Sequence, residues 1–263
     1  MKVLITGCKG YIATELYKIL RSKYDVIVIS REDFDLTNTS SVNSFFEESN
    51  VHYDVVIHTA SQGGNRLQKD TWDVFFNNIK MFENLYKNKK YFNKLISFGS
   101  GAEIYNQTSP YGASKNIINQ IIQDTPNFYN LRIFAVFNQN ELNTRFIKAN
   151  ILHYINGEDL IIHKNIKMDF FYMEDLMSLV QHFIENENIS KTIDCCYEQK
   201  LSLLNIANII KNLNPQISSN IKFCSFKLEK DYIGDYNPIP GLDYVGLEEG
   251  INKTYQKLKD VTF

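Results

Sequence analysis

The feature that most constrains this chain is a glycine-punctuated turn near its start, "LITGCKGYIA" (Leu4 to Ala13). An apolar run over residues 2–6 reads as a buried strand and stops at Gly7 and Gly10. The stretch from Tyr11 to about Ser22 then puts Ile12, Leu16, Ile19 and Leu20 on one helical face. Glycines between a strand and a helix remove the side chains that would keep a phosphate from the backbone N–H groups. The helix N-terminus adds its positive dipole end. Ala13 is a third small residue, where the helix must pack closely on the sheet. The turn therefore predicts a pyrophosphate cradle made by Gly7, Lys9, Gly10, Tyr11 and Ile12, and with it a dinucleotide-binding unit.

The pattern repeats along the chain. "DVIVIS" (Asp25 to Ser30), "YDVVIHTA" (Tyr53 to Ala60), "KLISFGS" (Lys94 to Ser100) and "NLRIFAVF" (Asn130 to Phe137) are further apolar strands, with helical stretches between them and a helix beginning near Pro110. This alternation predicts the α/β class, a Rossmann-type doubly wound parallel sheet over residues 1–140. A smaller C-terminal α/β substrate lobe is expected over residues 141–263, with some segments returning to the Rossmann core. Trp72 and the many phenylalanines read as core, and His58 as a packed histidine rather than a base.

A hydrophobic content of 44% is ample for such a core. With 28 Lys+Arg against 30 Asp+Glu, a net charge of -2 gives no electrostatic reason for a nucleic-acid partner. No apolar run approaches membrane-spanning length, and the break at Thr6-Gly7 comes too early for a signal-peptide core. Cys8, Cys195, Cys196 and Cys224 lack metal-ligand spacing. No metal, no membrane association, reduced thiols and a cytoplasmic location are the expectations.

The end of the second strand discriminates between dinucleotides. An acidic residue there accepts from a ribose diol, whereas a 2′-phosphate needs donors and positive charge. Ser30-Arg31 favours NADP(H), and the adjacent Glu32 leaves NAD(H) open. Asp35 either caps the following turn or has its neighbourhood beside the adenine.

"SPYGASKN" places Tyr111 and Lys115 one turn apart at the start of a helix, sharing a face. A phenol of ordinary pKa near 10 is a poor proton carrier at neutral pH, but a neighbouring ammonium favours its phenolate. Such a tyrosine can protonate a ketone oxygen as hydride arrives. Lys115 would also bond the nicotinamide ribose.

With these residues in view, the chain resembles the extended short-chain dehydrogenase/reductases, in their sugar-nucleotide reductase, epimerase and dehydratase branch. The likeness rests on "TGCKGYIA", "VVIHTAS", "NNIKMFENLY", "FGSGAEIY", "YGASK", "LRIF" and "MDFFYMEDL". "SREDFDLTN" and "NKLISFGS" look most like the GDP-fucose synthases. The resemblance implies bound NAD(P), a nucleoside-diphosphate-sugar substrate and a homodimer. It implies that Asn78 and the backbone around Thr59, Ala60 and Ser61 line the cofactor channel. Asp169, Tyr172 and Asp175 match its later "RDF-x-Y-x-x-D" segment, with Met168 in place of the arginine.

The same resemblance implies a hydroxyl on the substrate carbonyl. Counting four residues back from Tyr105 gives Gly101, while aligning from the strand gives Ser100, the favoured candidate because the neighbouring glycine lets the loop shift. Glu103 stands where dehydratases carry an acid/base, although a solvent-facing glutamate is the favoured reading, since Ala102 replaces their aspartate. Ser100, Gly101, Glu103, Phe137, Asn138, Arg145 and Tyr236 are the expected substrate-side residues. Arg145 and Lys148 suit a diphosphate, or are solvated helix charges. The leading expectation is NADPH-dependent reduction of a nucleotide-activated 4-keto sugar with Tyr111 as proton donor. An NAD-dependent 4-epimerase and a non-catalytic dinucleotide sensor are the alternatives.

Overall fold

The computed structural model describes residues 1–65, 68–187, 189–224 and 230–262. Its strands are β1 (Lys2–Thr6), β2 (Asp25–Ile29), β3 (Tyr53–His58), β4 (Phe92–Ser100), β5 (Phe128–Ile133), β6 (Val136–Phe137), β7 (Leu160–Ile162), β8 (Phe171–Tyr172), β9 (Thr192–Cys195) and β10 (Ile221–Phe223). The helices are α1 (Tyr11–Leu20), α2 (Thr39–Ser49), α3 (Trp72–Lys87), α4 (Ala102–Tyr105), α5 (Pro110–Gln123), α6 (Phe146–Ile155), α7 (Met173–Glu185), α8 (Leu203–Lys211) and α9 (Leu247–Thr262).

Six strands form one sheet in the order β2-β1-β3-β4-β5-β9. β1 is parallel to β2, with Leu4 opposite Ile27, and to β3, with Thr6 opposite His58; β3 is parallel to β4, with Ile57 opposite Ile96. Because the strand order reverses at β1, the carboxyl ends of β1 and β3 form the switch point at which an open α/β sheet leaves a crevice. Val3, Leu4, Ile5, Val55, Val56 and Ile57 are all buried, as strands covered on both faces require. One core cluster joins Leu4, Phe46, Phe82, Leu85, Leu95 and Phe128, with Phe82 and Phe128 edge to face at 6.2 Å.

The chain divides into two compact units, Met1–Arg132 with Val180–Ile193, and Ile133–Leu179 with the chain from Asp194 onward. The division expected at residue 140 thus falls after Arg132. The run expected as one strand over 130–137 is two: β5 ends at Ile133, and β6 pairs in parallel with β8 in a separate sheet, Val136 opposite Phe171. A continuous apolar run cannot show where a chain changes sheet. The second unit has its own core, in which Phe137, Ile151, Tyr154, Ile206, Ile210 and Ile251 are fully buried.

Trp72, expected in the core, is instead 56% exposed at the start of α3, as is Phe76 at 63%. These two sit one turn apart on the helix side that faces away from the sheet, and side-chain apolarity alone does not fix that side.

Lys94 of β4 is buried and donates from Nζ to the carbonyls of Phe183, Ile184 and Asn186 at 2.6, 3.1 and 2.7 Å. It thereby satisfies carbonyls that the end of α7 leaves without helical partners. Lys94→Met is expected to cost about 2 kcal/mol of unfolding free energy by stranding these acceptors. Urea denaturation measures this, and a loss under about 0.5 kcal/mol would count against the capping role.

Candidate active site

At the switch point a cavity of about 280 Å³ is lined by Gly7, Gly10, Ser30, Arg31, Asp35, Thr59, Ala60 and Ser61. Ile29, Phe34, Leu36, Gln62 and Met81, which motif reading does not reach, complete its wall. Gly7 has φ +71°, and a Cβ there would lie 2.8 Å from the Cα of Ala60. The turn after β1 therefore touches the turn after β3 backbone to backbone, which glycine alone permits. Gly10 caps α1 in an extended conformation with no side-chain cap hydrogen bond, so its own position puts no side chain in front of the helix N-terminus. A cradle that a single methyl group would fill, at an uncapped helix N-terminus, fits a pyrophosphate.

The edges of the cavity are held by short polar links. Thr59 donates from Oγ1 to the Thr6 carbonyl at 2.6 Å, and the Thr6 hydroxyl is bonded to His58 Nδ1 at 2.9 Å. Burial, with the charge of Lys115 adding to it, pushes His58 down to about 3, so this histidine is packed and neutral. After β2, the Ser30 N–H and hydroxyl donate to Asp33 at 2.6 and 2.9 Å. Asp35 accepts from the N–H and hydroxyl of Thr37 at 2.9 and 2.8 Å, so it caps the turn while lining the cavity. It also pairs with Arg31 at 3.0 Å, and Lys9 pairs with Glu32 at 2.5 Å; Arg31, Lys9 and Glu32 are exposed.

Tyr111 and Lys115 lie one turn apart on α5, whose first turn is fixed by Pro110 and by the Ser109 hydroxyl accepting from the Gly112 N–H at 3.1 Å. Lys115 is buried, donates to the Phe98 carbonyl at 2.8 Å and stands 5.7 Å from the centre of the Tyr111 ring. Burial pushes its ammonium down to about 8, and the charge of Glu103 works in the opposite direction.

A loop that sequence reasoning missed covers the tyrosine. Gly64 has φ +72°, and a Cβ there would lie 2.9 Å from Cε1 and Cζ of Tyr111. Its N–H donates to both oxygens of Asp70 at 3.2 Å. The adjacent pair Gly63-Gly64 after β3 was the available signal. Asn78 is buried and ties this loop to α5: it accepts from the Gln62 N–H at 2.8 Å and donates to the Gln62 carbonyl at 3.0 Å and to Ser114 Oγ at 3.1 Å.

Ser100 ends β4. Its Oγ accepts from the Ala102 N–H at 3.2 Å, and its own N–H donates to Glu103 Oε1 at 2.9 Å. Gly101 follows in a right-handed helical conformation and caps α4. Glu103, expected to face solvent, is instead 2% exposed and paired with Arg132 at 3.0 Å. Arg132 and Asn130 of β5 offer it the donors that draw the carboxylate inward.

In the second unit, Phe137 is fully buried against Tyr172, with ring centres 5.4 Å apart. Asn138 is buried and accepts from the Asn140 N–H at 2.8 Å, Arg145 is exposed at the start of α6, and Tyr236 is half-buried. Lys148, read as a diphosphate donor or a solvated helix charge, is buried rather than solvated and donates to the Glu141 carbonyl at 2.7 Å. Asp169 accepts from Lys200 at 2.8 Å and from the Gly234 N–H at 2.7 Å, beside a buried Met168. Asp175 accepts from the Val245 and Gly246 N–H groups and from the Tyr197 hydroxyl. The expected cofactor residues thus gather in the first unit, while the expected substrate residues are shared between the two units. Among the described residues, no cluster of His, Cys, Asp or Glu could hold a metal, and no helix is long and apolar enough to cross a membrane.

The sequence model of the NAD dependent epimerase/dehydratase family matches residues 3–196, and the chain belongs to this family. No curated protein sequence matches it. Solved structures share its fold at low identity. A GDP-mannoheptose C4 reductase from Campylobacter jejuni with NADP bound is similar with a TM-score of 0.80 and 20% identity, over 98% of each chain. A GDP-L-fucose synthetase from Naegleria fowleri bound to NADP gives 0.73 and 17%, over 99% of this chain and 93% of that one. A UDP-glucuronic acid 4-epimerase from Bacillus cereus, in complex with UDP-glucuronic acid and NAD, gives 0.75 and 19%, over 99% and 100%.

The cover over Tyr111 is directly testable. Gly64→Ala is expected to push the ring aside and to cost about 1 kcal/mol of stability, from a left-handed alanine and the overlap together. A crystal structure and denaturant titration of the variant check both effects; an unmoved ring at wild-type stability contradicts the contact.

Proposed function

We propose that this member of the NAD-dependent epimerase/dehydratase family is an NADPH-dependent reductase of a nucleotide-activated 4-keto sugar. One observation carries the reading: Tyr111 lies beside the buried ammonium of Lys115, in the same unit as the pyrophosphate cradle of Gly7 and Gly10. When bound, a nicotinamide dinucleotide supplies the hydride. Gly7, Gly10 and the start of α1 would hold its pyrophosphate, and Ser30 and Arg31 would hold the 2′-phosphate. Tyr111 gives its phenolic proton to the keto oxygen, and the charge of Lys115 stabilises the phenolate that remains. Ser100 polarises the carbonyl through its hydroxyl.

Reduction asks for one proton carrier, and the carboxylate of Glu103 is already engaged by Arg132, Asn130 and the Ser100 N–H. The likeness to a GDP-mannoheptose C4 reductase with NADP bound and to a GDP-L-fucose synthetase bound to NADP supports this class of substrate. A homodimer belongs to the proposal, with exposed Trp72 and Phe76 on α3 and Ile117 on α5 as its apolar face. A 4-epimerase retaining NAD is the second reading, favoured by one observation: the Ser30 hydroxyl is turned to Asp33, a carboxylate that suits a ribose diol better than a phosphate.

Four outcomes are expected. A thermal-shift panel of NAD, NADP and nucleoside diphosphates should give the largest shift with NADP, since a ligand at a hundred times its Kd adds about 2.7 kcal/mol. NADPH should be consumed in proportion to product. A protein that purifies with NAD and needs no NADPH would establish the epimerase instead. Tyr111→Phe should lower turnover roughly a thousandfold while NADP affinity stays close to wild type; surviving activity would exclude Tyr111 as the acid. Turnover should also fall as pH rises through about 8, because Lys115 carries its proton below that value and loses it above.

A further inference from the structure

We propose that Glu103 is a positioning residue: its buried carboxylate fastens the Ser100 turn and helix α5 to one point on strand β5, and so sets the two halves of the candidate site against each other. The kinetic consequence rests on the reductase reading; the geometry does not.

Both carboxylate oxygens are occupied. Oε1 accepts from the Ser100 N–H at 2.9 Å, Oε2 from Arg132 Nε at 3.0 Å, and Asn130 Nδ2 reaches them at 3.3 and 3.2 Å. Because one Asn130 N–H is shared between the two oxygens, three donors, from Ser100, Arg132 and Asn130, converge on the carboxylate and take up most of the lone-pair directions it offers. Burial tends to push this carboxyl upward, and the Arg132 guanidinium opposes the shift. The ammonium of Lys115 also interacts with it electrostatically.

Asn130 extends the network to α5. The same Nδ2 donates to Asn119 Oδ1 at 3.1 Å, an acceptor that also takes the Thr192 hydroxyl at 2.7 Å. Asn119 stands one turn beyond Lys115, so Tyr111, Lys115 and Asn119 share a helix face. One carboxylate thereby joins the end of β4, β5 and the helix that carries the tyrosine. Gly99 makes room for it, since a Cβ there would lie 2.1 Å from Glu103 Oε1 and 2.5 Å from Asn130 Oδ1. The glycine of "FGSG" is therefore a requirement of the carboxylate rather than of a turn.

Glu103→Gln keeps an acceptor for the Ser100 amide, and Glu103→Ala removes it. We expect Glu103→Gln to turn over within roughly tenfold of wild type. Glu103→Ala should lose roughly a hundredfold in kcat with the KM for NADPH unchanged. Hydrogen exchange should quicken in Glu103→Ala at Ser100 to Ala102 and around Asn119, and stay unchanged in β1 and β3. A Glu103→Gln enzyme as inactive as Tyr111→Phe would overturn the proposal in favour of an acid/base role, and unchanged exchange at Ser100 in Glu103→Ala would overturn the anchoring. If Glu103→Ala does not fold, the neutral pair Glu103→Gln with Arg132→Met replaces it; protection retained at Ser100 supports the anchor and protection lost there overturns it. A wild-type protein that reduces no nucleotide-linked 4-keto sugar would sink the reductase reading alone, and the exchange measurement would still decide the anchor.

Discussion

An ammonium group taken out of water constrains what is packed around it in the first unit. Lys115 is 7% exposed, with its Nζ on the Phe98 carbonyl. A buried cation costs several kcal/mol unless its surroundings compensate. Here the compensation is arranged on several sides. His58 stays neutral, so it adds no positive charge of its own beside Lys115, and it can share a hydrogen bond with Thr6. Glu103 supplies a negative field from the end of β4, and the face of the Tyr111 ring lies within cation–π range at 5.7 Å. A lysine held near 8 rather than 10.5 keeps its charge at neutral pH with a far narrower margin than an exposed lysine, which makes it responsive to an anion forming beside it.

Three glycines keep this arrangement compact, each by excluding a different atom. Gly7 lets the first turn lie against Ala60, Gly64 lets a loop backbone lie on the Tyr111 ring, and Gly99 admits the Glu103 carboxylate beneath β4. Only Gly7 and Gly64 have positive φ; Gly99 is a matter of space alone. A methyl group at any of the three would meet a neighbour closer than van der Waals contact allows.

The first unit is largely legible in the sequence because buried parallel strands are continuous apolar runs and their helices are amphipathic. β1, β2 and β3, and the start of α5 at Pro110, fall within a residue or two of where those patterns put them. In the second unit β6 and β8 are two residues long and β7 and β10 three, too short for periodicity to register. The site divides along the same line. The glycines of the first turn and the Tyr111/Lys115 spacing are local, so a motif reveals them. The burial of Glu103 is not local: its partner Arg132 lies 29 residues further on, and a glutamate in a short polar segment reads as solvated until β5 brings that guanidinium beneath it. The cover of Gly64 over Tyr111 escapes motif reading for the same reason.

The acidic turn after β2 looks at first unsuited to the NADPH proposed here, since Asp33 and Asp35 stand beside Ser30 and Arg31. Each carboxylate, however, is already engaged: Asp33 with the Ser30 N–H and hydroxyl, Asp35 with Thr37 and Arg31, while Glu32 is drawn to Lys9. The Arg31–Asp35 pair is largely exposed on the arginine side, and an exposed pair of this kind is worth about 0–1 kcal/mol. A phosphate dianion offers a guanidinium two parallel, charge-assisted hydrogen bonds, each stronger than a neutral one. With the proposed NADPH bound, the exchange of Asp35 for a 2′-phosphate would run downhill for Arg31, and it would cost Asp35 little, because Thr37 still holds that carboxylate from the other side. The turn keeps its arginine poised by a weak partner rather than committed to a strong one.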